Sequence, residues 1–295
     1  MRRYRFFKDY FRLLRIPQWI KNLFVFVPLL FAKQLFDQDL FIQVVLAFFA
    51  FCLTSSAVYI VNDIFDIEED KLHPAKKFRP IPAGRISVTS AVITSAILAL
   101  LTSYILNYLD FRFLLVIMGY ATLNIFYSFA LKHIVIVDII TIAAGFMLRV
   151  LGGAFVIQVP VSSWLILTTL FISLFLAIMK RRSELGMVLE DNPGITRKVL
   201  SEYSLSFTEQ MASICAAGVI ICYALYSVSD RTVMSLKGES MVFTTIFVVF
   251  GIFRFMYLVY KKSKGENATE IMVTDPPMII NIILYVLTTI YIVYF

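Results

Sequence analysis

Charged side chains are scarce in this 295-residue chain, at 16% of residues, where a soluble domain carries about a quarter. Histidine (2 residues), tryptophan (2) and cysteine (3) are rarer still. Cys52, Cys215 and Cys222 lie in apolar stretches, and no CxxC pair or Cys/His cluster occurs. A structural zinc site and a disulfide-stapled fold are therefore excluded. The sequence also has no internal repeat and no low-complexity linker. After its basic start it lacks the short apolar run and small-residue cleavage site of a secretory signal. Hydrocarbon is what it has in abundance: 60% of residues are hydrophobic, and the mean hydropathy is +0.82. One water-facing core cannot hide that much apolar surface. A soluble globular enzyme and a disordered chain are both excluded, and the composition predicts a polytopic membrane protein.

Nine stretches reach the roughly 20 apolar residues that cross a bilayer as a helix: 18–36, 40–61, 88–107, 111–131, 135–157, 162–180, 209–228, 240–261 and 278–294. The expected fold is all-α and a single domain over residues 1–295. Its first 17 residues, MRRYRFFKDYFRLLRIP, form a basic amphipathic segment lying at the membrane interface. Lys and Arg number 27 against 20 Asp and Glu, a net charge of +7. With nine spans, the N-terminus and the loops after spans 2, 4, 6 and 8 share one side. That side collects 21 Lys and Arg residues, against 4 (Lys33, Arg112, Arg231 and Lys237) on the other. The excess of basic residues assigns the first side to the cytoplasm of a cell (inner) membrane protein and the C-terminal IYIVYF to the outside.

The most informative segment is VNDIFDIEEDKLHPAKKFRPIPAGRIS, residues 61–87. Asn62, Asp63, Asp66 and Asp70 form the pattern N-D-x-x-D-x-x-x-D, and offsets of three and four put the aspartates on one helical face. Three like charges there repel, and a divalent cation between them removes that cost. All-oxygen ligands favour Mg²⁺, with Mn²⁺ as the alternative ion. Lys76, Lys77, Arg79 and Arg85 follow within one loop, and carboxylates for a metal beside cations for phosphate suit a bound diphosphate. The plainer alternative is a solvated acidic helix end followed by an ordinary basic cytoplasmic loop.

Further polar residues punctuate the later spans. Tyr127, Lys132 and His133 lie between spans 4 and 5, and Asp138 and Arg149 lie within span 5. Ionised groups at membrane depth are costly unless paired or facing a wet cavity. Arg149 is three turns from Asp138, too far for a direct pair along one helix, and needs another partner. Gly152 and Gly153 suit close helix packing better than phosphate binding. Span 6 ends in MKRRSEL, with Lys180, Arg181, Arg182 and Glu184 at the start of a cytoplasmic loop. Adjacent arginines there suit phosphate oxygens. TRKVLSEYSLSF, residues 196–207, adds Arg197, Lys198 and Tyr203 on a short cytoplasmic helix, and Glu270 and Asp275 precede the Pro276–Pro277 start of span 9.

Residues 62–70 resemble the first aspartate-rich motif of the UbiA superfamily of intramembrane prenyltransferases. RIPQWIKN (15–22) resembles that family's opening motif, and RPIPAGRIS (79–87) resembles the stretch after its aspartates. The resemblance implies nine helices around a central cavity, a cytoplasmic cap and Mg²⁺-dependent use of a diphosphate. Most members carry a second pair of aspartates one turn apart after span 4, whereas here Asp138 is followed four residues on by Ile142. YSFALKHIVIVDIITIAAGFMLRVLGGAF, LAIMKRRSEL, TRKVLSEYS and TDPP are most similar to the polyprenyl-phosphate phosphoribosyltransferase branch. That branch implies transfer of 5-phosphoribose from phosphoribosyl pyrophosphate to a polyprenyl (decaprenyl-type) phosphate, releasing diphosphate.

In this reading Asp63, Asp66 and Asp70 hold the metal, and Asn62 helps to orient the diphosphate. Lys21, Asn22, Lys77, Arg79, Arg85, Tyr127, Lys132, Asp138, Arg149, Lys180, Arg181, Arg182 and Glu184 are the substrate-binding candidates. The partners are the membrane, the polyprenyl phosphate and phosphoribosyl pyrophosphate. No nucleic acid is expected, and a homo-oligomer is left open. Two alternatives stand beside it: an aromatic prenyltransferase of the same superfamily using a polyprenyl diphosphate donor, and a non-enzymatic lipid carrier or transporter. The absent second carboxylate at position 142 speaks against the first. The absence of matched, interrupted repeats speaks against the second.

Overall fold

The structure, a computed structural model, describes residues 2–72, 76–191, 198–236, 238–262 and 274–295. Among these the only regular structure is helical. In order, the α-helices are α1 (Arg2–Leu13), α2 (Val27–Phe31), α3 (Gln38–Phe65), α4 (Ile67–Leu72), α5 (Val88–Leu106), α6 (Phe111–Phe129), α7 (Val137–Val156), α8 (Ser163–Asp191), α9 (Leu205–Ser227), α10 (Asp230–Leu236), α11 (Thr245–Lys262) and α12 (Pro276–Tyr294). Among the described residues eight helices are long and apolar enough to cross a membrane, and nine spans result if a bent pair at the N-terminus is counted as one. Helices suit hydrocarbon because they satisfy their backbone hydrogen bonds internally. The exposed loop ends are closed by short polar caps. Asp37, Ser87, Asp110, Ser204 and Asp275 each accept a hydrogen bond from a backbone N–H at the start of α3, α5, α6, α9 and α12.

The first span departs from the plain helix expected over 18–36. Phe7–Leu13 and Ile16–Phe31 meet at a bend of 48°, and Ile16–Phe26 is a 3-10 helix that passes into the short α2. Arg15, at the bend, is left-handed with φ 51°. Pro28 has no N–H to return to residue 24, so an α-helical ladder cannot run unbroken through this stretch. The sixth span also differs. MKRRSEL does not open a loop, because α8 runs on as helix to Asp191.

Two compact units make up the chain. The first comprises residues 1–29, 34–130 and 148–159. In it α3 packs against α5, α6 and the 3-10 segment, and Leu13, Ile60, Ile81, Ile86, Ala91 and Leu98 form one buried cluster. Trp19 donates to the Ser56 hydroxyl at 3.0 Å, and Ser56 donates to the Leu14 carbonyl at 2.7 Å, fastening the 3-10 segment along α3. Two glycines of α7 let its neighbours come close. A Cβ on Gly153 would run into the Val25 carbonyl oxygen, and one on Gly152 would stand 3.0 Å from the Phe51 ring. The second unit comprises residues 30–33, 131–147 and 160–295. Here α8 lies along α9, over a core that includes Phe175, Ile178, Met179, Val219, Phe255 and Leu258.

The Gly153 approach yields a first prediction. Gly153→Ala forces backbone apart and is expected to cost about 1–3 kcal/mol. Gly119→Ala, inside α6 where a Cβ meets nothing within 4 Å, is expected to stabilise by about 0.5–1 kcal/mol. Unfolding midpoints of the detergent-purified protein compare the two.

Candidate active site

In the first unit, α3 is 28 residues long, roughly 42 Å at 1.5 Å per residue, against a hydrocarbon core of about 30 Å. Its last turn, with Asn62 and Asp63, therefore extends past an apolar run rather than ending inside one. The helix breaks at Asp66 and resumes as α4, but the backbone bonds Asp66 N–H to Asn62 C=O (2.9 Å) and Asp70 N–H to Asp66 C=O (2.8 Å) carry across the break. Asp63 and Asp70 are 2% and 1% exposed. One nitrogen of Arg79, Nη1, donates to Asp63 Oδ1 at 3.0 Å and to Asp70 Oδ2 at 2.6 Å. Arg15 pairs with the same Asp63 oxygen, with its guanidinium 4.5 Å from the centre of the Tyr59 ring. Lys76 Nζ stands 3.7 Å from Asp70 Oδ1.

The third aspartate behaves differently. Asp66 accepts from the Asn62 side-chain amide at 2.9 Å. Among the described residues no three Asp, Glu, His or Cys side chains are grouped so as to hold a metal ion. Asp63, Asp66 and Asp70, expected together as one ligand set, are not grouped as three in this structure. The break after Phe65 leaves Asp66 with Asn62, while Asp63 and Asp70 converge. A shared nitrogen within 3.0 Å of both carboxylates marks a point that one cation can reach from each. That donor set fits Mg²⁺, which takes one or two protein carboxylates and fills its octahedron with phosphate oxygens and water.

Other sequence candidates gather within the same unit. Arg149 is buried, donates from Nε to Asn22 Oδ1 at 2.7 Å and from Nη2 to the Tyr120 hydroxyl at 2.8 Å, and lies 4.8 Å from the Tyr120 ring centre. These are the partners that its distance from Asp138 required. Asn22 also donates to the Cys52 sulfur at 3.2 Å. Lys21 is half-buried and has no hydrogen-bond or ion-pair partner among the described residues; the charges acting on it, Arg149 and Arg15, are both cationic. Arg85 is turned away to Asp9 (2.8 Å) and the Phe78 carbonyl (2.6 Å). Lys77 is exposed, over the Phe78 ring, and Tyr127 is half-buried on α6.

In the second unit, Asp138 and Arg181 are both 0% exposed. Arg181 Nε donates to Asp138 Oδ2 at 2.6 Å, and its Nη1 pairs with Glu184. The Tyr203 hydroxyl donates to the other Asp138 oxygen at 2.8 Å. Burial pushes that hydroxyl above the ordinary phenol range, and acceptance by Asp138 adds to the rise, so it stays protonated. Arg181 thus bridges two carboxylates, the buried Asp138 and the part-exposed Glu184. Arg182 is likewise engaged, with Glu209 at 3.0 Å and the Val259 carbonyl at 3.2 Å. Lys180 Nζ, on the exposed side of α8, stands 3.8 Å from Glu184. Lys132 lies on the 3-10 turn Leu131–His133. Arg197 and Glu270 lie outside the described residues, as does the Lys198 side chain.

Sequence reading missed Arg15 as the partner of Asp63, Tyr59 and Tyr120 as platforms for arginine, and Tyr203 as a partner of Asp138. A signal existed for Tyr59, which precedes Asp63 by four residues on one helix face. Arg15 and Asp63 are 48 residues apart, and nothing local announces that pair.

Residues 23–283 match the UbiA prenyltransferase family; the chain belongs to this family and is an integral membrane protein. It is 35% identical over 222 residues to the decaprenyl-phosphate phosphoribosyltransferase of Mycolicibacterium smegmatis, covering 74% of this chain and 70% of that protein. It is 36% identical over 218 residues to the enzyme of the same name from Corynebacterium glutamicum, covering 72% of this chain and 65% of that one. Its fold matches a UbiA homolog from Archaeoglobus fulgidus bound to GPP and Mg²⁺, with a TM-score of 0.73 at 16% identity over 97% of this chain and 100% of that one.

The Asp138–Arg181 pair yields a prediction about stability. Asp138→Ala leaves a buried guanidinium with one carboxylate fewer and is expected to cost ~3 kcal/mol. Replacing both partners (Asp138→Leu with Arg181→Leu) is expected to recover most of that loss. Denaturation midpoints of the two variants in detergent test it.

Proposed function

We propose that this protein transfers 5-phosphoribose from phosphoribosyl pyrophosphate to a polyprenyl phosphate, releasing diphosphate, with a divalent cation, Mg²⁺ by preference. The carrying observation is the convergence of Asp63 and Asp70 on one cation-sized point, flanked by Arg15, Arg79 and Lys76. The names of the relatives at about 35% identity support the donor and acceptor classes.

In this reading Asp63 and Asp70 hold the metal, which when bound neutralises charge on the leaving diphosphate. Asp66 and Asn62 brace each other at the turn between α3 and α4. Arg79, beside both carboxylates, and Arg15, beside Asp63, supply donors to diphosphate oxygens. As the bond from C1 to the diphosphate oxygen breaks, positive charge develops on the ribose, and a phosphate oxygen of the acceptor forms the new bond at C1. That oxygen is an anion, so no general base is needed. Lys21, a cation without a carboxylate, binds a phosphate, with Arg149 and Asn22 beside it. In the second unit Lys132, on its turn before α7, binds a phosphate as well. The N-terminus and the loops after α4, α6, α8 and α11 face the cytoplasm, and the end of α12 faces outside.

The test is direct. Membranes containing the protein, given labelled phosphoribosyl pyrophosphate and polyprenyl phosphate, are expected to move label into the lipid fraction. Chelation of divalent cations should stop transfer, and Mg²⁺ should restore it. Asp63→Asn and Asp70→Asn should each lower kcat by about 10²–10³-fold. Lys21→Ala should raise KM for one phosphate substrate by roughly tenfold. Absence of label in lipid, with transfer from a prenyl diphosphate to an aromatic acceptor, would establish the aromatic prenyltransferase instead.

A further inference from the structure

Ile136 precedes α7 with φ 70°. A β-branched side chain is an outlier in this left-handed region, where glycine is at ease. Packing does not hold it there, because the Ile136 side chain is 41% exposed. Hydrogen bonds do. Its N–H donates to the Tyr203 hydroxyl at 2.7 Å, and its carbonyl accepts from Ile140 N–H at 2.9 Å as α7 begins. The same hydroxyl donates to Asp138 at 2.8 Å. One phenolic oxygen therefore grips both the strained residue and the carboxylate two positions on. The ring that carries it is 5% exposed and is stacked on Phe207. Upstream, Ile134 N–H bonds to the Leu131 carbonyl and Asp138 N–H to the Ile134 carbonyl, so the turn Leu131–His133 is coupled to Ile136 with no slack segment between. Strain that packing does not explain, held in place by a distant side chain, points to pre-organisation.

We propose that Tyr203 is a positioning residue. Its hydroxyl locks Ile136 in the left-handed conformation and thereby sets the turn that carries Lys132. The inference rests on the reading of Lys132 as a phosphate ligand, so Lys132→Ala is measured first, and the substrate whose KM it raises is the one followed. Tyr203→Phe keeps the ring and removes only the hydroxyl. It should raise that same KM by about tenfold, the scale of losing a buried hydrogen bond, and leave kcat within about twofold. Adding Ile136→Gly relieves the strain without the hydroxyl, so the double variant should return KM to within about threefold of wild type.

A structural role alone would give a lower unfolding temperature and lower kcat with KM unchanged, or a raised KM that glycine does not rescue. Either result overturns the inference. If Lys132→Ala leaves both substrates' KM values unchanged, the assignment of Lys132 falls, and the inference with it. If Lys132→Ala raises KM and Tyr203→Phe does not, the inference falls and the assignment stands.

Discussion

Ionised side chains at the ends of apolar helices govern this structure. A carboxylate removed from water must be matched by a cation or by several donors, because neither solvent nor lipid supplies them. Asp63, Asp70 and Asp138 are each nearly sealed from solvent, and each is held by arginine. Their surroundings then set what each can do. Asp138 receives Arg181 on one oxygen and Tyr203 on the other. Asp63 and Asp70 share a single Arg79 nitrogen, and their remaining lone pairs face Arg15 and Lys76. Carboxylates arranged that way suit an exchange of partners when a charged substrate arrives.

The arginines divide in the same manner. Arg181 lies between two carboxylates, whereas Arg149 donates to an amide and to a phenol. Lys21 lies close to two of these cations, Arg149 and Arg15. An anion such as phosphate suits cationic side chains that lie beside one another.

Much of the fold was legible because hydrocarbon thickness sets a length that the sequence must honour. The span read as 88–107 is helix Val88–Leu106, and the span read as 278–294 is Pro276–Tyr294. The first span was not legible as drawn, because Pro17, Pro28 and a left-handed Arg15 impose a bend that average hydropathy does not register. MKRRSEL read as the start of a loop because its charges end the apolar run, yet α8 continues, since Lys, Arg, Glu and Leu are all good helix formers. At the site, the spacing of Asp63, Asp66 and Asp70 pointed to one face. Sequence offset alone could not show that the helix breaks at Asp66, nor that Arg15 and Tyr203 arrive from 48 and 65 residues away. Single-sequence periodicity reports neighbours along a helix and is blind to partners brought by tertiary packing.

The seam at Gly153 carries one more implication. The atom its missing Cβ would meet is the main-chain oxygen of Val25, not a side chain. No exchange of side chain at position 25 can make room there. The two sites therefore cannot trade volume over evolutionary time, and a search for paired substitutions between them would find nothing despite their intimacy. The constraint falls on one partner alone and would show up as an unvarying glycine.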